Sequence, residues 1–503
     1  MNFRLKDLYR SRVSKPLRED AFRFVSSLQE DQRILGDDLL GTIAHVVALR
    51  EAGILGVEAK SILEALIDLF GRALRGELKL EGKFEDVHEF IENAVIQRLG
   101  VEIGGRMHTG RSRNDQVALA VRLRTREEIN RTSELLLSLA HSLLKRAEET
   151  ADLPFPLYTH TQQAQIGTLG HYFLSKFDEL MEDFERLSDC YRRVNLCPLG
   201  ACAIGGTSFP LQREKVAELL GFDGLVENSI CAVSSRSFIL ETASVLSIIM
   251  NDLSRIAEDL ILWSTEEFGY LSISEEFAST SSVMPQKVNP CTLELIRARA
   301  AEVQGVCSGL FSTLKGLVTG YNRDLQETKP QLWRCFDLTE ESLRVMEGVI
   351  STFEIDREKC VEAAQKSYAV ALDLAEALVR EKGLPFRQAH MIVGRVVRRA
   401  FESHRRLSEI SPHELEEEAA VIGAQIKVDA EFIKKYTNPI ASLQARKSRG
   451  SPNPAEVRRM LADRQQVLER AKELLSDREE RVVKALSNLL AKAGIEPSGI
   501  TVR

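Results

Sequence analysis

The sequence predicts an all-α protein, and two features of its residue pattern carry this prediction. Only 14 of the 503 residues are proline, and none lies between Leu17 and Leu153. Because a proline inside a helix removes a hydrogen bond and clashes with the preceding turn, a long stretch without proline favours helix. The second feature is a run of hydrophobic residues spaced by four, three, four and three positions, namely Leu246, Met250, Leu253, Ala257 and Leu260.

This spacing places the five side chains on one face of a helix. The flanking residues Ile248, Ile249 and Ile261 make the segment apolar beyond that face. We therefore expect a long helix packed inside a helical bundle. The alternative is an isolated amphipathic helix at the protein surface.

The composition is that of a soluble globular protein. Charged residues make up 28% and hydrophobic residues 44% of the chain, which excludes disordered, collagen-like and disulfide-stabilised classes. The net charge of −7 gives no overall basic surface for nucleic acid. No segment approaches the ~18 apolar residues that span a bilayer, and the first residues lack the apolar core of a signal peptide. The eight cysteines form no CxxC pair, so we expect reduced thiols in a cytoplasmic protein.

The length predicts about three domain-sized units, because single hydrophobic cores stop growing beyond roughly 250–300 residues. Residues 1–110 form the predicted N-terminal helical domain, and residues 111–360 form a central helical-bundle domain that carries most of the site. Residues 361–503 are highly charged and form the predicted C-terminal helical domain. Within it, residues 444–454 read as a loop that ends one helix before Pro454 begins another.

The first candidate for chemistry is the segment 153–175, which contains no charged residue and is rich in His, Gln, Thr and Tyr. Such a segment is typical of a buried polar surface, whose groups need partners inside the protein or from a ligand. His160 is its candidate acid or base. A buried histidine with purely structural hydrogen bonds is the alternative.

The second candidate is GRMHTGRSRNDQ, residues 105–116, which precedes an apolar helical pattern. A loop that leads into a helix offers free backbone N–H groups, and the guanidinium groups beside them suit carboxylate recognition. The alternative is a surface turn in which Ser112 or Asn114 caps the helix.

Two further segments combine polar groups suited to ligand binding. Residues 277–302 place a Ser/Thr run, Lys287 and Asn289 before a helix that carries Glu294, as in a loop that closes over a substrate; a plain linker is the alternative. Residues 316–330 contain Tyr321, Gln326 and Lys329, which offer a phenol, an amide and an ammonium group.

The four segments together resemble the argininosuccinate lyase family within the fumarase/aspartase superfamily. Residues 280–289, TSSVMPQKVN, are similar to the superfamily signature GSSxMPxKxN, and HTGRSRNDQ at 108–116 distinguishes this family from fumarases and aspartases. YTHTQ at 158–162, YNRDLQETK at 321–329 and LPFRQAH at 384–390 are also similar. The likeness extends from about residue 26 to about residue 461.

This resemblance implies an all-helical, three-domain homotetramer whose long helices form a twenty-helix core, with each active site shared between subunits. The implied reaction is cleavage of argininosuccinate to arginine and fumarate in arginine biosynthesis. It is a β-elimination without cofactor or metal, in which a base removes a proton next to a carboxylate and an acid protonates the departing nitrogen.

The resemblance also implies catalytic roles. Ser281 would be the base, which requires neighbours that stabilise its alkoxide. Lys287 and Asn289 would supply that stabilisation or bind the doubly charged aci-carboxylate. His160, beside Thr159, would transfer a proton to the leaving nitrogen, and Glu294 would orient its ring. The implied substrate-binding residues are Ser27, Arg113, Asn114, Tyr321, Gln326 and Lys329, with Asp31 as a further candidate for the substrate's amino group.

Several positions depart from the family pattern. A glycine is usual at Thr280, a lysine at Val288 and an aspartate at Cys291, and family acids appear here as Cys231, Ser235 and Ser237; a proline is usual at Ile166. None of these changes removes an implied catalytic group, but we expect the loss of several family acids to reshape the pocket around the substrate's guanidinium or amino end. Two alternatives therefore stay open: another fumarate-releasing lyase of the superfamily, or a crystallin-like structural relative with reduced activity.

Overall fold

The computed structural model describes residues 12–13 and 15–494, and helices dominate this part of the chain. The α-helices are α1 (Glu19–Val25), α2 (Leu35–Glu51), α3 (Glu58–Leu74), α4 (Val87–Leu99), α5 (Val101–Gly104), α6 (Arg113–Glu149), α7 (Leu169–Val194), α8 (Arg213–Leu219), α9 (Ser229–Ser234), α10 (Ser237–Trp263), α11 (Cys291–Leu314), α12 (Thr328–Thr352), α13 (Arg357–Lys366), α14 (Ala371–Lys382), α15 (Phe386–Glu402), α16 (Pro412–Val421), α17 (Ala430–Tyr436), α18 (Pro439–Ala445) and α19 (Pro454–Ala493). The prediction of an all-α protein is confirmed.

Short 3-10 helices and strand pairs connect these helices. The 3-10 helices span Glu30–Ile34, Gly105–His108, Glu275–Phe277, Arg323–Gln326, Tyr368–Val370 and Leu407–Glu409. The strands are β1 (Pro154–Thr159), β2 (Gln162–Thr168), β3 (Leu196–Cys197), β4 (Gly224–Leu225), β5 (Leu271–Ser272), β6 (Ser279–Thr280), β7 (Val288–Asn289) and β8 (Glu354–Ile355). They pair as β1–β2, β5–β8 and β6–β7 antiparallel and β3–β4 parallel.

Five long helices, α6, α7, α10, α11 and α12, form the central bundle. The hydrophobic stripe predicted for α10 faces its interior: Leu246, Met250, Leu253, Ala257 and Leu260 are fully buried. Helix α10 packs against α7, α11 and α12, so the bundle prediction is confirmed and the alternative of an isolated surface helix is wrong. No helix among the described residues is long and apolar enough to cross a membrane.

Two large hydrophobic cores and a small cluster of Ala201, Ala232 and Val233 organise the described residues. The larger core joins α2 to α4 with the central bundle and with α19, whose buried residues pack against α6, α7 and α2. The smaller core lies within residues 364–443 and includes one residue from outside this range, Ile166 on β2. The division into domains at 110 and 360 stays a prediction.

The loop predicted at residues 444–454 is present between α18 and α19. Helix α19 begins at Pro454 in its first turn, and the Asn453 side chain caps it by accepting a hydrogen bond from Ala455 N at 2.9 Å. Proline fits the first turn because its missing N–H has no helical partner there.

Candidate active site

A buried polar cluster joins the N-terminal segment to the start of α12. Gln326 accepts hydrogen bonds from Lys329 Nζ at 3.1 Å and donates to Tyr321 OH at 2.7 Å. Ser27 Oγ lies 2.9 Å from Asp31 Oδ2 and 3.3 Å from Gln326 Oε1. The Lys329 ammonium forms an ion pair with Asp31. The structure thus brings together four of the predicted substrate-binding residues, and it places Asp31 among them.

Burial controls the electrostatics of this cluster. Asp31, Gln326 and Lys329 are at most 4% exposed, so their charges and amide groups need partners within the protein or from a ligand. Burial also raises the pKa of Tyr321 above its ordinary value, although its hydrogen bond to Gln326 acts in the opposite direction. Tyr321 therefore stays a neutral donor or acceptor at physiological pH.

Arg113 and Asn114 lie at the start of α6, as predicted from the motif. Ser112 caps this helix in a reciprocal capping box with Asp115, so the loop leading into a helix is confirmed, and the Ser112 cap named in the alternative interpretation is also present. Arg113 Nη1 lies 3.4 Å from Asp86 Oδ2, and the residue after Asp86, Val87, donates its N–H to Asp31 Oδ2 at 3.2 Å. The backbone of α4 thus connects Arg113 to the buried cluster.

Asn114 faces a different partner, because its Nδ2 donates to Ala203 O at 2.9 Å. Sequence reasoning missed Asp86, which is fully buried and caps α4 by accepting from Glu89 N at 2.9 Å. Its position as an Asp before a helix was a usable capping signal. Nothing in the sequence indicated that it also faces Arg113.

The loop between β6 and β7 holds Ser281. Ser281 Oγ accepts hydrogen bonds from Met284 N at 3.0 Å and Val283 N at 3.3 Å. Two backbone donors aimed at one hydroxyl oxygen favour its negatively charged form. Lys287 Nζ donates to Asn289 Oδ1 at 2.5 Å, and Lys287 O accepts from Ser281 N at 3.2 Å. The predicted lysine and asparagine are therefore joined to each other, and the backbone of Lys287 holds Ser281.

A cleft of about 1200 Å³ lies beside this loop. Lys287 and Asn289 contribute to its wall, together with six carboxylate residues: Glu266, Glu267, Glu275, Glu276, Glu294 and Glu354. Glu294 lies in the first turn of α11, where the helix dipole favours a negative charge. The wall of this cleft is acidic.

Thr159 and His160 lie at the tip of the β1–β2 hairpin. Thr159 pairs with Gln162, and His160 and Thr161 form the turn between them with φ of 53° and 57°. Positive φ at both turn residues matches the right-handed twist of the strands. The base of the hairpin is buried, but its tip is exposed in one chain. The prediction of a buried polar surface for residues 153–175 is therefore wrong at the tip, since a two-residue turn projects these side chains outward.

The three groups of candidate residues stay apart within one chain. No hydrogen bond or ion pair joins the hairpin tip, the 281–289 loop and the Asp31–Lys329 cluster, all of which lie in the described part of the chain. The predicted contact between His160 and Glu294 is likewise not made within a single chain. It stays a prediction for the assembled protein.

Two of the positions that depart from the family pattern, Ser235 and Ser237, flank a buried cation, Arg236. Arg236 is 2% exposed and donates to Ser235 O at 3.0 Å and Val233 O at 3.2 Å. Burial lowers the pKa of Arg236 to about 10. The hydroxyls of Ser235 and Ser237 lie 3.3 Å apart beside it. Cys231 is exposed, and Val288 is 58% exposed, so neither position belongs to a packed core.

Comparison with known proteins assigns the family. Residues 18–305 match the family model described as lyase, and residues 368–437 match the model described as argininosuccinate lyase C-terminal. The argininosuccinate lyase of Methanocaldococcus jannaschii is 40% identical over 485 residues, which covers 96% of this chain and 99% of that protein. The chain belongs to the argininosuccinate lyase family. The argininosuccinate lyase of Methanothrix thermoacetophila is 43% identical over 472 residues, with 93% of this chain and 94% of that protein covered.

Solved structures of other lyases superpose on almost the whole chain. A variant of EDDS lyase with bound fumarate superposes with a TM-score of 0.84 at 32% identity, covering 94% of this chain and 93% of that one. A class II fumarase from Schistosoma mansoni has a TM-score of 0.68 at 16% identity, covering 81% and 90%, which supports the fold alone. The predicted fumarase/aspartase-like fold is confirmed.

Proposed function

We propose that this chain cleaves argininosuccinate to L-arginine and fumarate, a step of arginine biosynthesis, by β-elimination without a cofactor. The observation that carries the proposal is the buried cluster of Ser27, Tyr321, Gln326 and Lys329, which joins residues distant in sequence at one polar site. A site of this kind suits a substrate with carboxylate and amino groups, because Lys329 and Arg113 can bind carboxylates and Asp31, the ion-pair partner of Lys329, is the candidate for the amino group.

The reaction begins with proton removal from the carbon next to a substrate carboxylate. In the proposed mechanism the alkoxide form of Ser281 takes this proton and becomes a neutral hydroxyl; the Val283 and Met284 N–H groups stabilise the charge on its oxygen beforehand. Lys287 and Asn289 then bind the aci-carboxylate that forms. Positioned donors of this kind typically contribute about 3–4 kcal/mol each to transition-state stabilisation.

The second step breaks the carbon–nitrogen bond. The electron pair of the intermediate forms the carbon–carbon double bond of fumarate, and the bonding pair leaves with nitrogen. His160 donates a proton to that nitrogen, Glu294 orients the imidazolium ring, and Thr159 binds substrate beside it. Loss of one such acid–base group lowers the rate by roughly 10²–10⁴-fold.

A complete site requires more than one chain, and we propose a homotetramer with shared sites. The cleft beside Lys287 is lined by six carboxylates, so it repels a substrate with several carboxylates unless cations from another chain enter it. The cations Arg113 and Lys329 lie elsewhere in the same chain. Exposed apolar side chains along the central helices offer contact surfaces: Ile248, Leu262, Leu295 and Phe311.

We propose a cytoplasmic location on the basis of thiol chemistry. All eight cysteines are free, and five of them are buried. Free thiols in these numbers are typical of a reducing compartment.

The direct test follows fumarate formation by ultraviolet absorbance with argininosuccinate, with adenylosuccinate, aspartate, malate and EDDS assayed in parallel. We expect selective turnover of argininosuccinate by the purified protein and none by Ser281→Ala. Turnover of another substrate alone would assign a different fumarate-releasing lyase. A folded protein inactive on all five would favour a structural relative.

Shared sites have their own test. Ser281→Ala and His160→Asn are each expected to be inactive, and mixing the two after subunit exchange should restore part of the activity, because some sites then contain both native residues. Confirmed exchange without any recovery would contradict shared sites.

A further inference from the structure

Asp115 connects the start of α6 to a turn far away in sequence. Its side chain is fully buried. One oxygen, Oδ1, accepts from Ser112 N at 3.0 Å, while Oδ2 accepts from Cys202 N at 2.8 Å and Gly200 N at 3.1 Å. The second oxygen is not needed for the capping box, so its two hydrogen bonds fix the position of residues 200–202 relative to the helix.

The turn that Asp115 holds has an unusual backbone. Gly200 has φ of 89°, and Cys202, which is not a glycine, has φ of 53°. A left-handed conformation is unfavourable for a residue with a Cβ, so surrounding contacts must maintain it. Asp115 supplies two of them, and Asn114 supplies a third by donating to Ala203 O.

The residues that follow reach two of the candidate substrate-binding loops. Thr207 Oγ1 and Phe209 Cδ2 each lie 3.5 Å from the position that a Cβ on Gly110 would occupy. Ile204 Cδ1 lies 3.4 Å from the corresponding position on Gly320, which directly precedes Tyr321. Residues 200–209 therefore lie beside both the loop before Arg113 and the loop that carries Tyr321.

We propose that Asp115 is a positioning residue for substrate binding, which holds residues 200–209 across these two loops so that Asn114 and Tyr321 keep their places. The inference rests on the proposed function. Burial raises the pKa of Asp115 to about 6, whereas hydrogen bonds from Ser112, Cys202 and Gly200 act in the opposite direction. The carboxylate is therefore ionised at neutral pH and able to accept all three hydrogen bonds.

The test compares Asp115→Ala with Ser112→Ala. The first variant removes the acceptor for Gly200 and Cys202 together with the Asp115 half of the capping box, whereas the second removes only the Ser112 half, the hydroxyl that accepts from Asn114 N at 3.3 Å. We expect the KM for argininosuccinate to rise by about tenfold to a hundredfold in Asp115→Ala, because small displacements of positioning groups have effects of this size. We expect Ser112→Ala to keep the wild-type KM even if its melting temperature falls.

Asp115→Asn provides a graded control. Its amide retains one oxygen that can accept from the turn, so its KM should lie between those of the wild type and Asp115→Ala. If Asp115→Ala does not fold, Ile204→Ala replaces it, because Ile204 is 36% exposed and its truncation removes the side chain that lies above Gly320. A raised KM in that variant supports the inference.

A KM within twofold of wild type in folded Asp115→Ala, or in Ile204→Ala when it is the substitute, would overturn the inference. An equal rise in Ser112→Ala would also overturn it, because helix capping would then explain the effect. Failure of the proposed function can be distinguished from failure of this inference, because in the first case the wild-type protein would itself be inactive on argininosuccinate.

Discussion

Lys329 and Asp31 form an ion pair removed from solvent, with side chains 1% and 0% exposed. The two residues are 298 positions apart in the chain, and Gln326 and Val87 complete the hydrogen bonds around them. A buried charge without its partner is strongly unfavourable, so this pair links the stability of the fold to the integrity of the site.

Replacing one member of this pair should therefore impair stability and activity together. For Asp31→Asn we expect a loss of about 3–5 kcal/mol in the free energy of unfolding, because the Lys329 ammonium stays buried without a carboxylate. Denaturant titration and the fumarate assay measure the two effects. The matched control is Asp20→Asn, which breaks the solvent-exposed pair with Arg18 and should change neither quantity. Wild-type stability of Asp31→Asn would contradict this account.

We expect the substitution Thr161→Gly, in the hairpin turn next to His160, to stabilise the protein. Thr161 has φ of 57°, which glycine adopts without the steric penalty of a Cβ. Thr161→Gly also loses the hydrogen bond from Thr161 Oγ1 to His160 O, so we expect a net gain of up to about 1 kcal/mol in stability. Thermal melting measures it.

Gln162→Gly is the control for this turn, because Gln162 lies in ordinary strand conformation on β2. Glycine there should lower stability by roughly 0.5–1 kcal/mol. A destabilised Thr161→Gly would contradict the expected net gain, because relief of the backbone strain would then be smaller than the loss of the hydrogen bond.

We expect the ionisation of Asp183 to make the stability of the fold depend on pH. Burial, followed by the nearby charge of Asp252, raises the pKa of Asp183 to about 7 despite its ion pair with Arg186. A carboxyl group whose pKa is raised by folding binds its proton more tightly in the folded state than in the unfolded state. Its contribution to the free energy of unfolding therefore falls as pH rises from its unfolded pKa, about 4, to its folded pKa, about 7. Asp183→Asn should therefore raise the melting temperature relative to wild type at pH 8 and much less at pH 5. An equal shift at both values would exclude ionisation of Asp183 as the cause.

We expect Thr280 to restrict the mobility of the loop that holds Ser281. It pairs with Val288 in the β6–β7 ladder, at a position where the family usually has glycine. Glycine in a strand weakens it by roughly 0.5–1 kcal/mol, so Thr280→Gly should speed local opening about two- to fivefold. Hydrogen–deuterium exchange of residues 279–289 measures this change, and a segment in the 364–443 core serves as internal control. Unchanged exchange in the loop would mean that Thr280 does not stiffen it.

The sequence alone predicted features that depend on neighbouring residues, such as the buried face of a helix and a helix cap. The spacing of Leu246, Met250 and Leu253 indicated the buried face of α10, because a helix repeats every 3.6 residues whatever it packs against. Ser112 was identified as a possible cap, because a cap and its helix are adjacent in sequence. The motifs also named Tyr321, Gln326 and Lys329, which the fold places in one cluster.

Tertiary structure decided which of these groups meet. Asp86 faces Arg113, and Asp115 holds residues 200–202, across separations that no local pattern encodes. The sequence by itself thus determined the helices and the chemical groups available, since propensity and hydrophobic period act over a few residues. Only the packing of the helices decided the partners, burial and pKa values of those groups, because these depend on which distant segments exclude water from them.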